Sequence, residues 1–342
     1  MHVELVVPAL FDAAAAAAAA ELLLARGRRR ERDASTLEQW LGEAFGLGDA
    51  PLPAGALSAL AGGLETGPGI WLRSDPVHLS ANQDGVRLLP AEAFALAPAD
   101  AAALAQALNA HFAGDFVLHV LQPGAWCLQL VRDMPPLQAR PPLSLAGRGI
   151  DAELPDKRWH SLLNEIQMAL HGHPANAARE ARGEPAVNGL WLWGAGRLPA
   201  AANGPWHSFS AENLSALGLA RLAHLRHRAP GTDAQTWLGR ASEEGRHLVV
   251  LDDLRAPRAL GEADALAAAL QRLEERWFAP LLAALRAGRI GMVTVHVPDA
   301  GFASETVRSD LRRFWRRPRP LPAYAKRAAE DDAQVDARGG AA

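Results

Sequence analysis

Residues 187–199, VNGLWLWGAGRLP, join an apolar run to two closely spaced glycines. Side chains alternate between the two faces of a strand, so Trp191 and Trp193 would share one face and be buried against a neighbouring layer or line a pocket. The glycines allow the backbone to turn tightly and to approach a ligand. We therefore predict a buried strand that ends in a glycine turn. Arg197 would lie beside this turn, where its guanidinium could meet a carboxylate or phosphate, or could be solvated.

Strand and helix patterns alternate on both sides of this stretch. Strands are predicted at 2–8, 247–253 and 289–299, and helices at 11–25, 156–171, 210–225 and 262–287. Hairpin patterns at 70–90 and 116–131 predict antiparallel pairs, with Asp84-Gly85 as the turn of the first. This alternation predicts a layered α/β/α fold with a mostly parallel central sheet and a small antiparallel subdomain.

The chain has the length of one large domain or two ordinary ones. We predict one α/β domain over 1–322, with a subdomain at about 70–150 that is connected through the proline-rich segment 134–150. The polar, alanine-rich residues 323–342 are predicted to be a disordered tail.

The net charge, the apolar stretches and the cysteine count limit which partners and which cellular compartment we expect. The formal net charge is −3 over 342 residues, which gives no reason to expect nucleic acid or an anionic membrane as the main partner. No apolar stretch is long enough to span a bilayer, and the N-terminal apolar run lacks the features of a signal peptide. Cys127 is the only cysteine, so an internal disulfide and a thiolate metal cluster are excluded. We expect a cytoplasmic protein.

The predicted helix at 156–171 carries a polar stripe beside its apolar face. Its members are His160, Asn164, Gln167 and His171, which fall within roughly 60° of one another on a helix. The stripe could line a cleft and bind a ligand, or it could be a boundary face whose polar groups are satisfied locally. His171 and His173 could act together as metal ligands only if the helix ends between them, as Gly172 and Pro174 suggest.

Two further pairs combine a carboxylate with an imidazole. Asp75 and His78 could form an acid–base pair or half a metal site, or a local hydrogen bond at a strand entry. His296 and Asp299 follow a predicted strand, at the edge where open α/β sheets bind ligands; the alternative is a simple Pro-Asp turn.

The segment RSDLRRFWRRPRP (308–320) concentrates arginines around two aromatic residues. Such a cluster could bind nucleic acid or an acidic partner. We favour a solvated helix on which Leu311, Phe314 and Trp315 dock onto the core, with an acidic protein partner as the next interpretation.

Four segments together carry a resemblance to known families. They are DPVHL (75–79), LLNEIQMALHGHP (162–174), NGLWLWGAG (188–196) and RRFWRRPRPL (312–321). Over residues 2–322 the chain resembles the RpfE-type regulatory proteins of proteobacteria. NGLWLWGAGRLP and IWLRSDPVHL (70–79) also resemble segments of the archaeal-type cofactor-independent phosphoglycerate mutases, which belong to the alkaline phosphatase superfamily.

The resemblance implies an alkaline phosphatase-like fold and, in the mutases, two divalent metals held by Asp and His with a Ser or Thr nucleophile. In those enzymes the first strand ends in Asp-Gly, and the last core strand in Asp-His. Here Pro8 and Ala9 stand at the first position, and His296 and Asp299 have a different order and spacing at the second. We therefore predict a regulatory protein that has lost catalysis, with no metal or cofactor.

The alternative is an active phosphomutase or phosphatase that uses Mn or Zn in a rearranged site made of Asp75, His78, His171, His173, His296 and Asp299. Under either interpretation the partner is a small anionic ligand or a protein, with nucleic acid and membrane not expected. The candidate ligand-binding residues are Arg73, Asp75, His78, His160, Asn164, Gln167, His171, His173, Asn188, Trp193, Arg197, His296 and Asp299.

Overall fold

The strands of the computed structural model form two separate sheets. The structure describes residues 1–82, 85–150, 153, 156–240 and 244–325. Its strands are β1 (His2–Val6), β2 (Arg28–Glu31), β3 (Trp71–Asn82), β4 (Gly85–Pro90), β5 (Phe116–Gln122), β6 (Ala125–Leu130), β7 (Gly189–Gly196), β8 (Ser208–Ser210), β9 (Arg226–Arg228), β10 (Arg246–Val250), β11 (Met292–Val297) and β12 (Phe302–Val307).

The helices cover one or both faces of these sheets. They are α1 (Ala18–Arg26), α2 (Leu37–Ala44), α3 (Ala54–Ala61), α4 (Pro98–His111), α5 (Lys157–Leu170), α6 (Pro174–Ala181), α7 (Leu214–Leu222), α8 (Ala234–Arg240), α9 (Arg255–Leu260), α10 (Ala263–Leu273) and α11 (Ala279–Arg286). A π-helical turn over Glu274–Phe278 joins α10 to α11. Among the described residues, no helix is both long and apolar enough to cross a membrane.

The described chain divides into two compact units, one around each sheet. The parallel-sheet unit comprises Met1–Gly46, Asn203–Asn213 and the described chain from Leu222, and the antiparallel-sheet unit comprises Leu47–Ala202 and Leu214–Arg221. The second unit is larger than the 70–150 segment expected from the sequence, because β7 pairs with β3 and so joins the antiparallel sheet.

The parallel-sheet unit holds a seven-stranded sheet in the order β2-β12-β11-β1-β10-β8-β9. The five strands from β11 to β9 are parallel, and β12 and β2 extend the sheet with antiparallel pairs. One face is apolar: Val3 and Leu5 of β1 belong to a core that includes residues of α1, α10 and α11. The opposite face carries polar groups, among them His2 and the buried Glu4. The polar face of this sheet therefore carries ionisable side chains, and one of them, Glu4, is buried.

The antiparallel-sheet unit holds β4-β3-β6-β5, with β7 paired to β3. Trp191 and Trp193 on β7 are buried, as predicted, in the core of this unit. The long strand β3 is covered by α3, where a Cβ on Gly55 would overlap the backbone of Leu72. Glycine is therefore needed at this position for the close approach of helix and strand.

Several sequence expectations are corrected by the structure. Arg28–Glu31, for which no strand was predicted, follow the helix predicted at 11–25 and form strand β2, because β12 offers its backbone for pairing. No strand was predicted after the one at 289–299, yet β12 follows it. Helix α2 begins with a capping box in which Thr36 is the N-cap and Gln39 is its partner.

The C-terminal segment also differs from its prediction. Only Arg308–Arg312 are helical, as a short 3-10 turn, and Phe314 and Trp315 are 76% and 66% exposed rather than docked. Tyr324 stacks on Phe11, so ordered chain extends beyond residue 322. Asp84 of the predicted turn and residues 326–342 of the predicted tail lie outside the described residues.

Candidate functional site

The carboxyl ends of the parallel strands meet at one edge of the seven-stranded sheet. Three carboxylates follow these strands, with Asp252 and Asp253 after β10 and Asp299 after β11. Ala9 follows β1 at the same edge. In open α/β sheets this edge is where ligands bind, so we take it as the candidate site.

Asp299 is held by the chain that leaves β1. The Ala9 N–H donates to both carboxylate oxygens of Asp299, at 3.0 and 3.1 Å. Ala9 has a left-handed backbone with φ 63°, which a residue with a side chain seldom adopts. Burial raises the pKa of Asp299, and the Ala9 hydrogen bond opposes that rise. The Asp299 carboxylate is thus engaged by a backbone donor.

Two arginines of α9 neutralise other acidic groups near this edge. Arg258 forms an ion pair with Asp12 at 3.0 Å, and Arg255 pairs with Glu38 at 2.9 Å. Among the described residues, no three His, Cys, Asp or Glu side chains converge in a geometry that could hold a metal ion. Asp12, Glu38 and Asp299 therefore have arginine or backbone partners.

A cavity of about 500 Å³, the edge cavity, opens beside the end of β10. Its polar lining consists of Glu212, Thr232, Asp252, Asp253, Arg272 and Arg276. Trp277, which is buried, adds an aromatic surface. Burial raises the pKa of Asp252, while the nearby charge of Arg255 and a hydrogen bond with Asn213 lower it. With cations and carboxylates in one cavity, it can bind a ligand that has both an anionic group and hydroxyls.

His296 lies on the polar face of the sheet. Its Nε2 is 3.3 Å from Oε2 of Glu4, and its ring centroid is 5.1 Å from that of Trp40. Arg246 donates to the other oxygen of Glu4 at 2.7 Å. Burial alone would raise the pKa of Glu4, but the hydrogen bonds from His296 and Arg246 outweigh it and lower the pKa to about 2. The contact between His296 and Glu4 was not predicted, because the two residues are far apart in the sequence.

In the antiparallel-sheet unit, the structure brings three predicted residues together. Arg73 donates to Oδ1 of Asp75 through Nε and a terminal nitrogen, at 3.1 and 2.5 Å. Trp193 donates its indole N–H to Oδ2 of Asp75 at 2.7 Å. All three residues are buried. The network uses both oxygens of Asp75 and places the Arg73 charge inside the unit rather than at a surface anion site.

Two other predicted residues connect β3 to the segment before β7. Asn188 accepts from the Leu79 N–H at 2.7 Å and donates to the Leu79 carbonyl at 2.8 Å. His78 places Nδ1 2.8 Å from the Ala186 carbonyl. These contacts join neighbouring backbone segments.

The remaining candidates lie at the surface of this unit. The four stripe residues His160, Asn164, Gln167 and His171 are exposed on α5 and at its C-terminal end, and Arg197 is exposed after β7. His173 is the N-cap of α6 and accepts from the Ala175 N–H at 3.2 Å. Helix α5 ends at Leu170 with His171 as its C-cap, so both histidines lie outside the helix interiors. The candidate set is thus divided between the two units, with only His296 and Asp299 in the parallel-sheet unit.

The sequence analysis missed the polar lining of the edge cavity. Asp252 and Asp253 close the predicted strand HLVVLDD, and the rule that singled out Asp299 at the end of β11 applies to them equally. Arg272 and Arg276 gave no comparable signal, because they belong to a long helical pattern that offers many exposed positions.

Comparisons with known proteins agree with this architecture. No protein-family model matches the chain. A 67-residue segment is 34% identical to a probable 2,3-bisphosphoglycerate-independent phosphoglycerate mutase of Geobacter sulfurreducens; the match covers 18% of this chain and only 17% of that protein.

Likeness to solved structures extends over most of the chain. The PH0037 protein of Pyrococcus horikoshii superposes with a TM-score of 0.53 at 13% identity, over 89% of this chain and 84% of that one. A cofactor-independent phosphoglycerate mutase of Thermoplasma acidophilum gives a TM-score of 0.43 at 16% identity, over 90% and 89%. The likeness to PH0037 confirms the predicted α/β fold.

Proposed function

We propose that this chain is a non-catalytic, phosphoglycerate mutase-like binding protein whose ligand is a small phosphorylated acid held in the edge cavity. The contact between Ala9 and Asp299 carries the proposal. In the mutases that the sequence resembles, the first strand ends in an aspartate that binds metal; here Ala9 stands at that edge and its N–H donates to both oxygens of Asp299. These residues do not fit a two-metal centre, which needs several carboxylates and imidazoles directed at the ions.

The lining of the edge cavity supports the ligand class. Arg272 and Arg276 can form charge-assisted hydrogen bonds with a phosphate or carboxylate. Asp252, Asp253 and Glu212 can accept hydrogen bonds from hydroxyl groups. A cytoplasmic regulatory role, which the resemblance to RpfE-type proteins implies, stays a prediction.

Titration with 3-phosphoglycerate, followed by calorimetry, tests the proposal. We expect saturable binding by the wild-type chain and a loss of at least about tenfold in affinity in Arg272→Gln/Arg276→Gln, because two charge-assisted contacts disappear. Arg289→Gln, which removes an exposed arginine outside the cavity lining, is the matched control and should bind as wild type. Absence of binding, or equal affinity in the double variant, would overturn the proposed ligand site.

The alternative is an active phosphomutase or phosphatase with a rearranged metal site, and its proposed ligands have other partners. Asp75 accepts from Arg73 and Trp193, His78 meets the Ala186 carbonyl, and His173 caps α6. Both oxygens of Asp75 already accept from these donors, and among the described residues no three His, Cys, Asp or Glu side chains converge on a position that could hold a metal ion. We therefore place the non-catalytic function first.

A further inference from the structure

We propose that the arginine-rich surface around residues 315–319 is a docking site for an acidic, extended peptide segment of a partner protein. A cavity of about 520 Å³, the arginine groove, is lined by Arg29, Arg316, Arg317 and Arg319 together with Trp315. It shares no lining residue with the edge cavity, so the proposal is independent of the proposed function.

The groove is built by anchoring the C-terminal segment to the end of α1. Arg313 donates to the Arg26 carbonyl at 3.1 Å and Arg316 donates to the Gly27 carbonyl at 2.8 Å, while Arg26 donates to the carbonyl of Leu311. Carbonyls at a helix C-terminus lack intrahelical partners and attract cations. These bonds fix the segment although it has little regular structure of its own.

The wall of the groove positions Arg29 against aromatic rings. Its guanidinium carbon is 4.8 Å from the centroid of Phe302, and a terminal nitrogen is 3.5 Å from the Tyr324 carbonyl. The Nε atom is buried and has no hydrogen-bond partner among the described residues, because its contact with Glu31 is a 3.4 Å ion pair without hydrogen-bond geometry. Arg29 is thus held in the wall of the groove by an aromatic ring, a backbone carbonyl and the Glu31 carboxylate.

The rim of the groove combines uncompensated charge with exposed aromatic surface. Arg317 and Arg319 are exposed and form no ion pair within the described part of the chain. Phe314 and Trp315 are largely exposed, with their ring centroids 5.3 Å apart. Arginine and tryptophan are the residues most enriched at energetically important positions of protein interfaces.

The neighbouring edge strand favours a peptide over a nucleic acid. Strand β2, RRRE, pairs with β12 on one side and ends the sheet on the other. An extended peptide can add to such an edge through its backbone while its acidic side chains meet the arginines. A nucleic acid has no backbone amides with which to pair β2, and the chain as a whole is slightly acidic.

The test measures fluorescence anisotropy of three labelled probes with the full chain. The probes are a twelve-residue peptide of alternating Glu and Val, the matching Lys and Val peptide, and a twelve-nucleotide oligothymidine. We expect the acidic peptide to bind most tightly and to weaken as salt is raised. Arg317→Gln/Arg319→Gln should lower its affinity about tenfold, because two ion pairs are lost.

Controls separate this site from the edge cavity and from the chain's own acidic residues. Arg272→Gln/Arg276→Gln should bind the peptide as wild type, whether or not it binds 3-phosphoglycerate. Glu330→Gln/Asp331→Asn/Asp332→Asn removes three carboxylates of the chain itself from the measurement. The proposal is overturned if neither wild type nor this variant binds the acidic peptide, if the oligonucleotide binds more tightly, or if the Arg317/Arg319 substitutions leave affinity unchanged.

Discussion

Glu4 and Asp299 are two carboxylates of the same parallel-sheet unit whose pKa values move in opposite directions. Burial on its own would raise the pKa of both groups. Glu4 receives hydrogen bonds from His296 and Arg246, and these reverse the effect of burial. Asp299 receives only backbone hydrogen bonds that do not outweigh burial, so its pKa remains raised. The number and charge of the donors therefore decide which carboxylate stabilises the fold when ionised.

Glu4→Gln tests this account at the level of one residue. Because the folded-state pKa of Glu4 is lowered from 4.5 to about 2, its ionised form stabilises the protein above pH 4.5, and that contribution is lost as the pH falls towards 2. We expect the variant to be less stable at pH 7 by up to roughly 3 kcal/mol, with a difference that shrinks below pH 4.5. Urea unfolding from pH 7 to pH 3 measures it.

The control for this prediction is Glu43→Gln, the same chemical change at an exposed position of α2. This variant should stay within about 0.5 kcal/mol of wild type throughout the pH range. A constant difference between Glu4→Gln and wild type across the range would show that the pKa of Glu4 is not lowered.

At the scale of elements, glycines in two helices have opposite surroundings. Gly218 of α7 lies so close to α3 that an added Cβ would overlap the Leu57 backbone carbonyl. Gly239 of α8 is exposed and has no atom within 4 Å of where its Cβ would stand. The first glycine allows two helices to approach, whereas the second only lowers the stability of its helix.

Alanine substitution at each glycine distinguishes these roles. Helix propensity alone favours alanine at both positions by about 1 kcal/mol. Backbone overlap should reverse the sign at Gly218, so we expect Gly218→Ala to destabilise by about 1–3 kcal/mol and Gly239→Ala to stabilise slightly. Thermal and urea unfolding of the two variants provide the comparison. Equal stabilisation by both substitutions would contradict the close packing of α7 on α3.

Elements with a strong local pattern were predictable from the sequence. The amphipathic helix α5 and the apolar strand β7 appear where expected, because their periodicity alone identifies them. Strand β2 was not predictable: RRRE has no apolar alternation, and it becomes a strand only through pairing with β12. Such pairing joins residues about 275 positions apart, which local patterns cannot reveal.

At the scale of the whole molecule, the sequence predicted the class of fold but not which candidate site residues lie in the same unit. Strand and helix alternation gave the mostly parallel sheet, which the structure and its likeness to PH0037 confirm. Spacing along the chain could not show that Asp75 and His78 belong to a different unit from His296 and Asp299. It also could not show that Arg73 and Trp193 use the Asp75 carboxylate, because that contact depends on the register of β3 with β7.

The most direct test of the central claim is the metal content of the chain measured together with its turnover. The purified protein is incubated with Mn²⁺, dialysed, and analysed for bound Mn²⁺ per chain, while the same sample is assayed for interconversion of 3- and 2-phosphoglycerate. We predict far less than one ion per chain and no interconversion, since no three His, Cys, Asp or Glu side chains among the described residues converge in a geometry that could hold a metal ion. About one or two ions per chain, with turnover that His296→Ala abolishes, would contradict the account.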